Sequence, residues 1–566
     1  MRSLATHGTP AMRYTLIAGA VTAALTAALG GVALADDDSV DRDGHFHQRQ
    51  FFFPDNLVVS RSVYDNNAKN VVVGTVLPPS CPAASGACGA ASGAPNDGSY
   101  PAVWNNVIYD PSFGITSRIF LDQMTPSGSV INSLSVPDRP VRHGSSADHL
   151  VTSFSSKSEL ALNLSNDGRF LTFMGYVAPA NTIDVSNSNT PAAVDPTNPV
   201  GIENLRAVAQ VDADGRFQFT ETNAYSGNNG RAAIQDDSRG VDLIYTVGNA
   251  GNGANPQPNG IILGAGAQIL NPANAAQAAQ VPGLPTPVAS FSVTELGAKA
   301  DKIGKDDNYR GLTIFNNVLY FTKGSGSNGV NTVYFVDTTG GACPKGVGLP
   351  APGARLPTSP VAFNVASLQS TGLPDNVCIL AGFPETPNKS ATVTAFPFGL
   401  WFANAHTLYL ADEGDGFTGG ADLYTHAAAQ TTAGLQKWVL NQTTGRWTLA
   451  YTITNGLGLG SAYKIRGYPA GSNPGTGLPW APATDGLRNI TGRAGRDGVA
   501  TIWGITSTIS GNGDVGADPN RLVSVRDAVD DLDAGAARHA KFTTLRTAEF
   551  AEVLRGVSLT PGSDAR

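Results

Sequence analysis

The sequence predicts an all-β fold, a β-propeller of six blades, from its composition, a repeated hairpin pattern and two half-hairpins at the chain ends. Its 566 residues include 65 glycines and 36 prolines, which is more than long helices tolerate. Charged residues make up only 14% of the chain, below the roughly 25% that is usual for soluble domains. This composition favours many short strands that are joined by turns.

A two-strand pattern recurs five times along the chain. Each copy has an alternating apolar strand, a turn rich in Asn, Asp or Gly, and a second strand that ends in a glycine-rich loop. The copies cover residues 159–177, 231–249, 310–326, 398–416 and 488–507. A second hairpin of the same style follows after a variable loop, as at 205–223 and 435–453. The resulting units of four strands have the size of a propeller blade.

The sixth blade is predicted to be divided between the two ends of the chain. Residues 57–64 resemble a second strand without its first, and residues 555–561 resemble a first strand without its second. Pairing the two would close the ring and remove the exposed edges of an open array. A β-helix would need a shorter and stricter period, and two β-sandwiches would not explain these complementary ends. The predicted propeller is a single domain at 55–561, followed by a tail at 562–566.

The N-terminal segment has the pattern of a secretory signal peptide. Arg2 and Arg13 precede or border an apolar run, which ends in Ala-Leu-Ala at 33–35 before three aspartates. We expect a signal peptide at 1–35, an extension at 36–54 and a secreted or periplasmic mature protein. An uncleaved membrane anchor is the alternative, since the apolar run is long enough to span a bilayer. No later segment has that length and hydrophobicity, so we expect no membrane span after cleavage.

Charge and cysteine content narrow the possible partners. The formal net charge is −8 at pH 7, and removal of residues 1–35 would change it to −10, which argues against nonspecific nucleic-acid binding. Four cysteines in an exported chain predict two disulfides, most simply Cys81–Cys88 and Cys343–Cys378. Their spacing from the histidines does not match a zinc site. We expect the protein to be a monomer.

The loops predict which face carries a binding site. Turns between the first and second strands of the blades are short, whereas loops between the second and third strands are long and rich in Gly, Asn and Pro. One face of the propeller is therefore elaborated, which is how a rigid scaffold usually carries a binding site.

Arginine begins the innermost strand in four blades. These residues are Arg231, Arg310, Arg488 and Arg555, and Tyr309 precedes one of them. They would converge at the mouth of the central channel on the elaborated face. Guanidinium groups bind carboxylates and phosphates through paired hydrogen bonds, so the sequence predicts a site for a small anionic or carbohydrate-like ligand. The alternative is that each arginine joins neighbouring blades by pairing with a carboxylate or a carbonyl.

Two further clusters have residue types that can carry chemistry. His149 follows Asp148 in a loop on the same face, and a histidine beside a carboxylate can act as a general base. Asp412, Glu413 and Asp415 end an inner hairpin, and clustered carboxylates suit Ca²⁺, although their spacing differs from that of the EF-hand loop. The cofactor is otherwise unknown.

Three functions are compatible with these residues. The first is a binding protein for the ligand described above. The second is a hydrolase or lyase that acts in the same pocket, although no nucleophile-elbow, zinc-protease or phosphate-loop motif occurs in a supporting context. The third is a structural scaffold that presents its loops to a protein partner.

Two segments resemble the hairpins of NHL-type (NHL/TolB-like) propellers. They are LTIFNNVLYFTKG at 312–324 and HTLYLADEGDG at 406–416; in that family, a strand ending in LYVAD precedes a glycine-rich turn. The resemblance implies a six-bladed fold and little about activity. Related six-bladed folds include calcium-dependent lactonases, whose channel ion is held by Glu, Asn and Asp. Arginines occupy the equivalent strand starts here, so those ligands are not carried over.

Overall fold

The structure, a computed structural model, describes residues 50–564 with internal gaps. The residues that it leaves undescribed between these limits are 75–95, 97, 99–114, 141–147, 154–158, 184, 186–187, 192–202, 238–241, 250–265, 273–307, 325–328, 359–376, 389–390, 392–393, 475 and 513–514. The predicted signal peptide, residues 36–49 of the predicted extension, and Cys81 and Cys88 lie outside the described residues. Within the described ranges, no helix combines the length and the hydrophobicity that a bilayer span requires.

Six sheets, each one blade, make up the fold. The strands of blade one are β1 (Leu57–Val63), β2 (Thr116–Met124) and β3 (Val130–Ser135), and a short β4 (Thr152–Ser153) pairs with the start of β2. Blade two contains β5 (Asn163–Leu164), β6 (Leu171–Tyr176), β7 (Arg206–Val211) and β8 (Phe217–Thr222). In blade three the described strands are β9 (Gly230–Asp236), β10 (Leu243–Gly248) and β11 (Ala267–Leu270).

Blade four contains β12 (Tyr309–Phe315), β13 (Val318–Lys323), β14 (Thr332–Val336), β15 (Val347–Gly348) and β16 (Val377–Leu380). Its β16 pairs with β14, and the short β15 lies outside β16. Blade five contains β17 (Pro397–Asn404), β18 (Thr407–Asp412), β19 (Gly434–Asn441) and β20 (Arg446–Ile453), with the helix α1 (Leu423–Ala429) in its second loop. Blade six contains β21 (Ala483–Ala494), β22 (Val499–Ile509), β23 (Arg521–Ala528) and β24 (Thr543–Thr547). Short 3-10 turns lie at Ala68–Asn70, Val515–Ala517 and Ala536–Arg538.

The last strand, β25 (Glu552–Leu559), closes the ring. It pairs antiparallel with β1, with Leu559 opposite Leu57 and Glu552 opposite Val63. The six inner strands contact one another in the cyclic order β25, β5, β9, β12, β17, β21 and back to β25. The structure therefore confirms the prediction of six blades that are closed by pairing the C-terminal strand with the N-terminal blade.

A buried hydrophobic cluster lies at every interface between neighbouring blades. Strands with alternating apolar residues on both faces produce this arrangement, because each sheet is covered by a blade on either side. At the interface where the ring closes, Trp503 and Ile505 of blade six pack with Leu57, Val59 and Val557 of blade one. The ends of the chain are therefore held by a core as well as by backbone hydrogen bonds.

The disulfide Cys343–Cys378 is present, with a Cα–Cα distance of 5.9 Å. It joins the residues after β14 to β16 and so fixes both ends of the long insertion in blade four, as predicted. Asp337 lies near the two sulfur atoms. Because both sulfurs are in the disulfide, neither is available as a thiolate, and these three residues do not form a metal site.

Buried hydroxyl groups join neighbouring blades, and the strand pattern of the sequence does not reveal them. They belong to the second strand of a blade and donate to a backbone carbonyl of the next blade's innermost segment. Ser60 Oγ donates to Leu160, Thr172 Oγ1 to Ala233 and Thr322 Oγ1 to Phe398, at 2.8, 2.7 and 2.5 Å. A Cβ atom at Gly311 would overlap the carbonyl oxygen of Phe398, so β12 and β17 approach backbone to backbone.

We expect Thr322→Val to destabilise the protein by about 1–2 kcal/mol, because it leaves the buried Phe398 carbonyl and Gly311 N–H without this hydroxyl. The measurement is the free energy of unfolding in urea. Thr544→Val, at an exposed position of β24, is the matched control and should change it by less than about 0.5 kcal/mol. Equal losses in the two variants would contradict the role of the Thr322 hydroxyl.

Candidate functional site

The four predicted arginines lie at breaks in the register of the inner strands. The register with the second strand shifts at Arg231, at Arg310, at Arg488 and at Arg555. Such β-bulges turn a side chain out of the regular alternation of a strand, and they often border functional sites. The sequence shows the arginines but not the bulges, because a bulge is a property of the pairing between two strands.

The arginines lie at the end of the channel where the long loops emerge. Val63, which precedes the segment 64–115, is opposite Glu552, at the start of β25. The same relation holds in blade five, where Asp412, before the loop 413–433, is opposite Pro397 at the start of β17. A cavity of about 590 Å³ opens near the first of these loops, with Tyr64, Arg118, Arg139 and Asn181 among its lining residues.

Two of the arginines are joined to neighbouring groups. Arg488 Nε lies 3.1 Å from Glu413 Oε2, which connects blade six to blade five. Arg555 Nε donates to Ser62 Oγ at 2.9 Å, and its Nη2 donates to the carbonyl of Ser153 at 3.3 Å. All four arginines are buried, with 4–5% of their surface exposed. The contact of Arg488 matches the alternative in which an arginine connects blades, whereas the contacts of Arg555 lie within blade one.

Arg231 has a different environment. Its Nη1 donates to Asn308 Oδ1 and to the carbonyl of Tyr309, at 3.1 Å for the latter. Within the described residues, its Nε has no hydrogen-bond partner and no carboxylate oxygen lies within 4.0 Å of its guanidinium. Burial lowers the pKa of Arg231, and the positive charge of Arg310 lowers it further, whereas the charges of Glu159 and Glu413 act in the opposite direction. A buried cation without a nearby anion is unfavourable.

A polar network that sequence reasoning missed borders Arg231. The buried Glu159 accepts a hydrogen bond from Thr152 Oγ1 at 2.5 Å and another from the hydroxyl of Tyr176. Asn229 Nδ2 lies 2.6 Å from Tyr176 Oη, and the guanidinium of Arg206 lies over the Tyr176 ring at 4.8 Å. Burial and the charge of Glu159 raise the pKa of Tyr176, so its hydroxyl remains a donor at neutral pH. No local motif connects these residues, since they come from separate strands and loops.

The other predicted binding and catalytic residues lie near the mouth or in the core. His149 Nδ1 is 3.1 Å from Asp148 Oδ1, and the imidazole is 11% exposed. Its role as a general base stays a prediction. The ring of Tyr309 packs in the core against Phe321 and Tyr334, at centroid distances of 4.4 and 5.6 Å. Tyr309 therefore contributes its carbonyl to the environment of Arg231 rather than its ring.

The three predicted calcium ligands have separate partners. Asp412 is fully buried and accepts from two backbone N–H groups. Glu413 pairs with Arg488, and Asp415 Oδ2 lies 2.7 Å from His426 Nε2. Calcium binding by these carboxylates stays a prediction.

The opposite end of the channel confirms which strands surround it. A cavity of about 100 Å³ is lined by residues of the inner strands of all six blades, among them Ile234, Thr313, Trp401, Thr491 and Ser558. The fold and the site together define the class of protein: a six-bladed β-propeller with arginines at one mouth of its channel.

No protein-family model matches the chain, and no curated protein matches it either. Among solved structures, the chain is similar to a PL25 polysaccharide lyase, an ulvan lyase bound to a saccharide of GlcA and Rha3S. The identity is 11% and the TM-score 0.29, over 81% of this chain and 92% of that chain. A second structure of a PL25 ulvan lyase matches at 11% identity and a TM-score of 0.28, over 89% and 96% of the two chains. These values concern the fold alone.

Proposed function

We propose that this protein is an exported binding propeller that holds a small anionic ligand, such as an acidic sugar, at the channel mouth beside Arg231 and Arg310. One observation carries the proposal. Arg231 is buried next to a second buried arginine, and no carboxylate of the described residues lies within ion-pairing distance of it. The NHL-type relationship implied by the two quoted segments remains part of this proposal.

The energetics of the mouth favour an anion over a neutral molecule. A charge in a site of low dielectric interacts much more strongly than the same charge in water. An anion at Arg231 would form charge-assisted hydrogen bonds and offset the repulsion between Arg231 and Arg310. Tyr176 is close enough to Arg231 to act on its pKa, and Tyr176 and Asn229 carry hydrogen-bonding groups of the kind that orient sugar hydroxyls.

We expect glucuronate to bind and glucose to bind at least about tenfold more weakly, because a hydrogen bond to a charged group contributes about 1.5–3 kcal/mol. The two probes differ only at C6, which is a carboxylate in glucuronate and a hydroxymethyl group in glucose. For the same reason, Arg231→Met should lower the affinity for glucuronate at least about tenfold. Isothermal titration calorimetry measures both effects.

Arg526→Met is the matched control, because its side chain is 70% exposed on β23 and lies in a surface ion pair. This variant should bind glucuronate like the parent protein. Equal affinity for glucose and glucuronate would overturn the proposal. Unchanged glucuronate binding by a folded Arg231→Met variant would do the same.

A further inference from the structure

We infer that a buried acidic wall between blades five and six controls anion binding at the channel mouth: the mouth binds an anion strongly while Asp412 and Asp485 of the wall are protonated and weakly once they ionise. The wall consists of Asp412, Glu413 and Asp485, which expose 0%, 4% and 1% of their surfaces. The inference rests on the proposed anion site beside Arg231 and adds its regulation.

The backbone segment 413–416, called the strap below, holds the wall together. Asp485 Oδ2 accepts from the N–H of Gly416 at 2.8 Å, and Gln430 Nε2 donates to Asp485 Oδ1. Gly414 has a φ of +79°, and a Cβ atom there would overlap the carboxylate of Asp485. Only glycine combines this backbone conformation with this approach. The strap therefore keeps Glu413 and Asp485 side by side.

Asp412 and Asp485 of the wall titrate close to neutrality. Burial raises the pKa of Asp485 to about 7, and the charges of Asp415 and Glu413 add to this, whereas the hydrogen bonds from the Gly416 N–H and from Gln430 act in the opposite direction. Burial likewise raises the pKa of Asp412 to about 6, and the charge of Glu413 adds to this. Both groups are neutral under mildly acidic conditions, so the wall gains negative charge as the pH rises past neutrality.

The charge of the wall reaches the anion site. The charge of Glu413 acts on the pKa of Arg231, and Glu413 also pairs with Arg488. Asp412 and Asp485 are neighbours of Glu413 in the wall, so we expect their charges to act on the anion site as well. A unit charge roughly 10 Å from an anion, through an effective dielectric of about 20, changes a binding constant roughly tenfold. Ionisation of the wall weakens anion binding, because each new negative charge repels the bound anion.

Other charged groups face Asp485, and the experiment must distinguish their effects on anion binding from the effect of Asp485. Glu413 and Asp415 face it from the strap, Arg488 lies on its own strand, and His426 of α1 pairs with Asp415. His149 lies near the mouth in the loop before blade two. Histidine is in general the side chain whose charge changes near neutral pH, so variants of both residues belong in the test.

Inorganic sulfate is a suitable probe because it stays doubly charged from mildly acidic to mildly basic pH. We expect the dissociation constant to rise roughly tenfold between about pH 5.5 and about pH 8. Asp485→Asn should remove most of this change, whereas His149→Gln and His426→Gln should retain it. Asp497→Asn, whose side chain is 59% exposed in a surface ion pair, is the matched control and should behave like the parent.

A second variant covers the case in which Asp485→Asn does not fold, as judged by circular dichroism. Gln430→Met removes a donor to the Asp485 carboxylate, so it should move the midpoint of the pH dependence upward. An unmoved midpoint, or pH dependence that the histidine variants abolish, would overturn the inference. If sulfate binds at no pH, the proposed function is wrong. If it binds equally at all pH values, the proposed function stands and only the regulation by the acidic wall is wrong.

Discussion

Deletion of residues 552–566 should abolish cooperative folding of the propeller. Seven of the eight residues of β25 are buried, and the strand pairs with β1 over the full length of β1. Leu554, Val557 and Leu559 also complete the hydrophobic cluster between blades six and one. Burial of each such side chain contributes about 2 kcal/mol, so these three alone approach the 5–15 kcal/mol net stability of a typical domain. Differential scanning calorimetry should show no sharp unfolding transition for the truncated chain.

The matched control for this truncation removes only residues 564–566. It keeps Ser563, whose Oγ accepts a hydrogen bond from the N–H of Asp55 at 2.8 Å. We expect this shorter deletion to unfold like the parent protein. A cooperative transition at the parent temperature in the chain that lacks 552–566 would show that ring closure is not required for folding.

Asp122→Asn should destabilise the protein by about 3–5 kcal/mol, the usual effect of removing one partner from a buried ionic network. The Asp122 carboxylate accepts from Arg61 Nε of β1 and from Arg546 Nη1 of β24, both at 2.7 Å, and from Ser133 Oγ of β3 at 2.5 Å. Its side chain is 2% exposed. The network connects the first and last blades beside the closing strand. Urea unfolding at neutral pH measures the loss.

Because of Asp122, we also expect the free energy of unfolding to depend on pH. Burial by itself would raise the pKa of Asp122, but Arg61 and Arg546 outweigh it and lower the pKa below the usual value. Because the folded pKa is below the unfolded value of about 3.9, this stabilisation is present above about pH 4 and is lost as the pH falls through the folded pKa. The parent should therefore lose more stability on acidification than Asp122→Asn does.

Asp497→Asn, at an exposed position, is the control for this series and should follow the parent at every pH. If Asp122→Asn unfolds within about 1 kcal/mol of the parent at neutral pH, the network does not contribute the buried ion-pair energy expected of it. Parallel pH profiles for the parent and Asp122→Asn would contradict the assignment of the acid-sensitive stability to this carboxylate.

Most of the fold was predictable because hairpins are encoded locally. Alternation of apolar residues and turn residues such as Asn316-Asn317 define β12 and β13 without reference to the rest of the chain. The disulfide Cys343–Cys378 followed from proximity in the sequence. The helix α1 was not predicted, because its seven residues lie in a long loop and carry too short a pattern to stand out.

The sequence by itself determined the all-β class, the number of blades, the pairing of the chain ends and the positions of four arginines on inner strands. Only the tertiary structure decided what each arginine contacts: Glu413 for Arg488 across 75 residues, and no described carboxylate for Arg231. Strand patterns depend on neighbours one or two residues away, whereas these contacts join blades that are brought together by closure of the ring. The buried charges at the mouth therefore depend on the packing of whole blades, which no local pattern encodes.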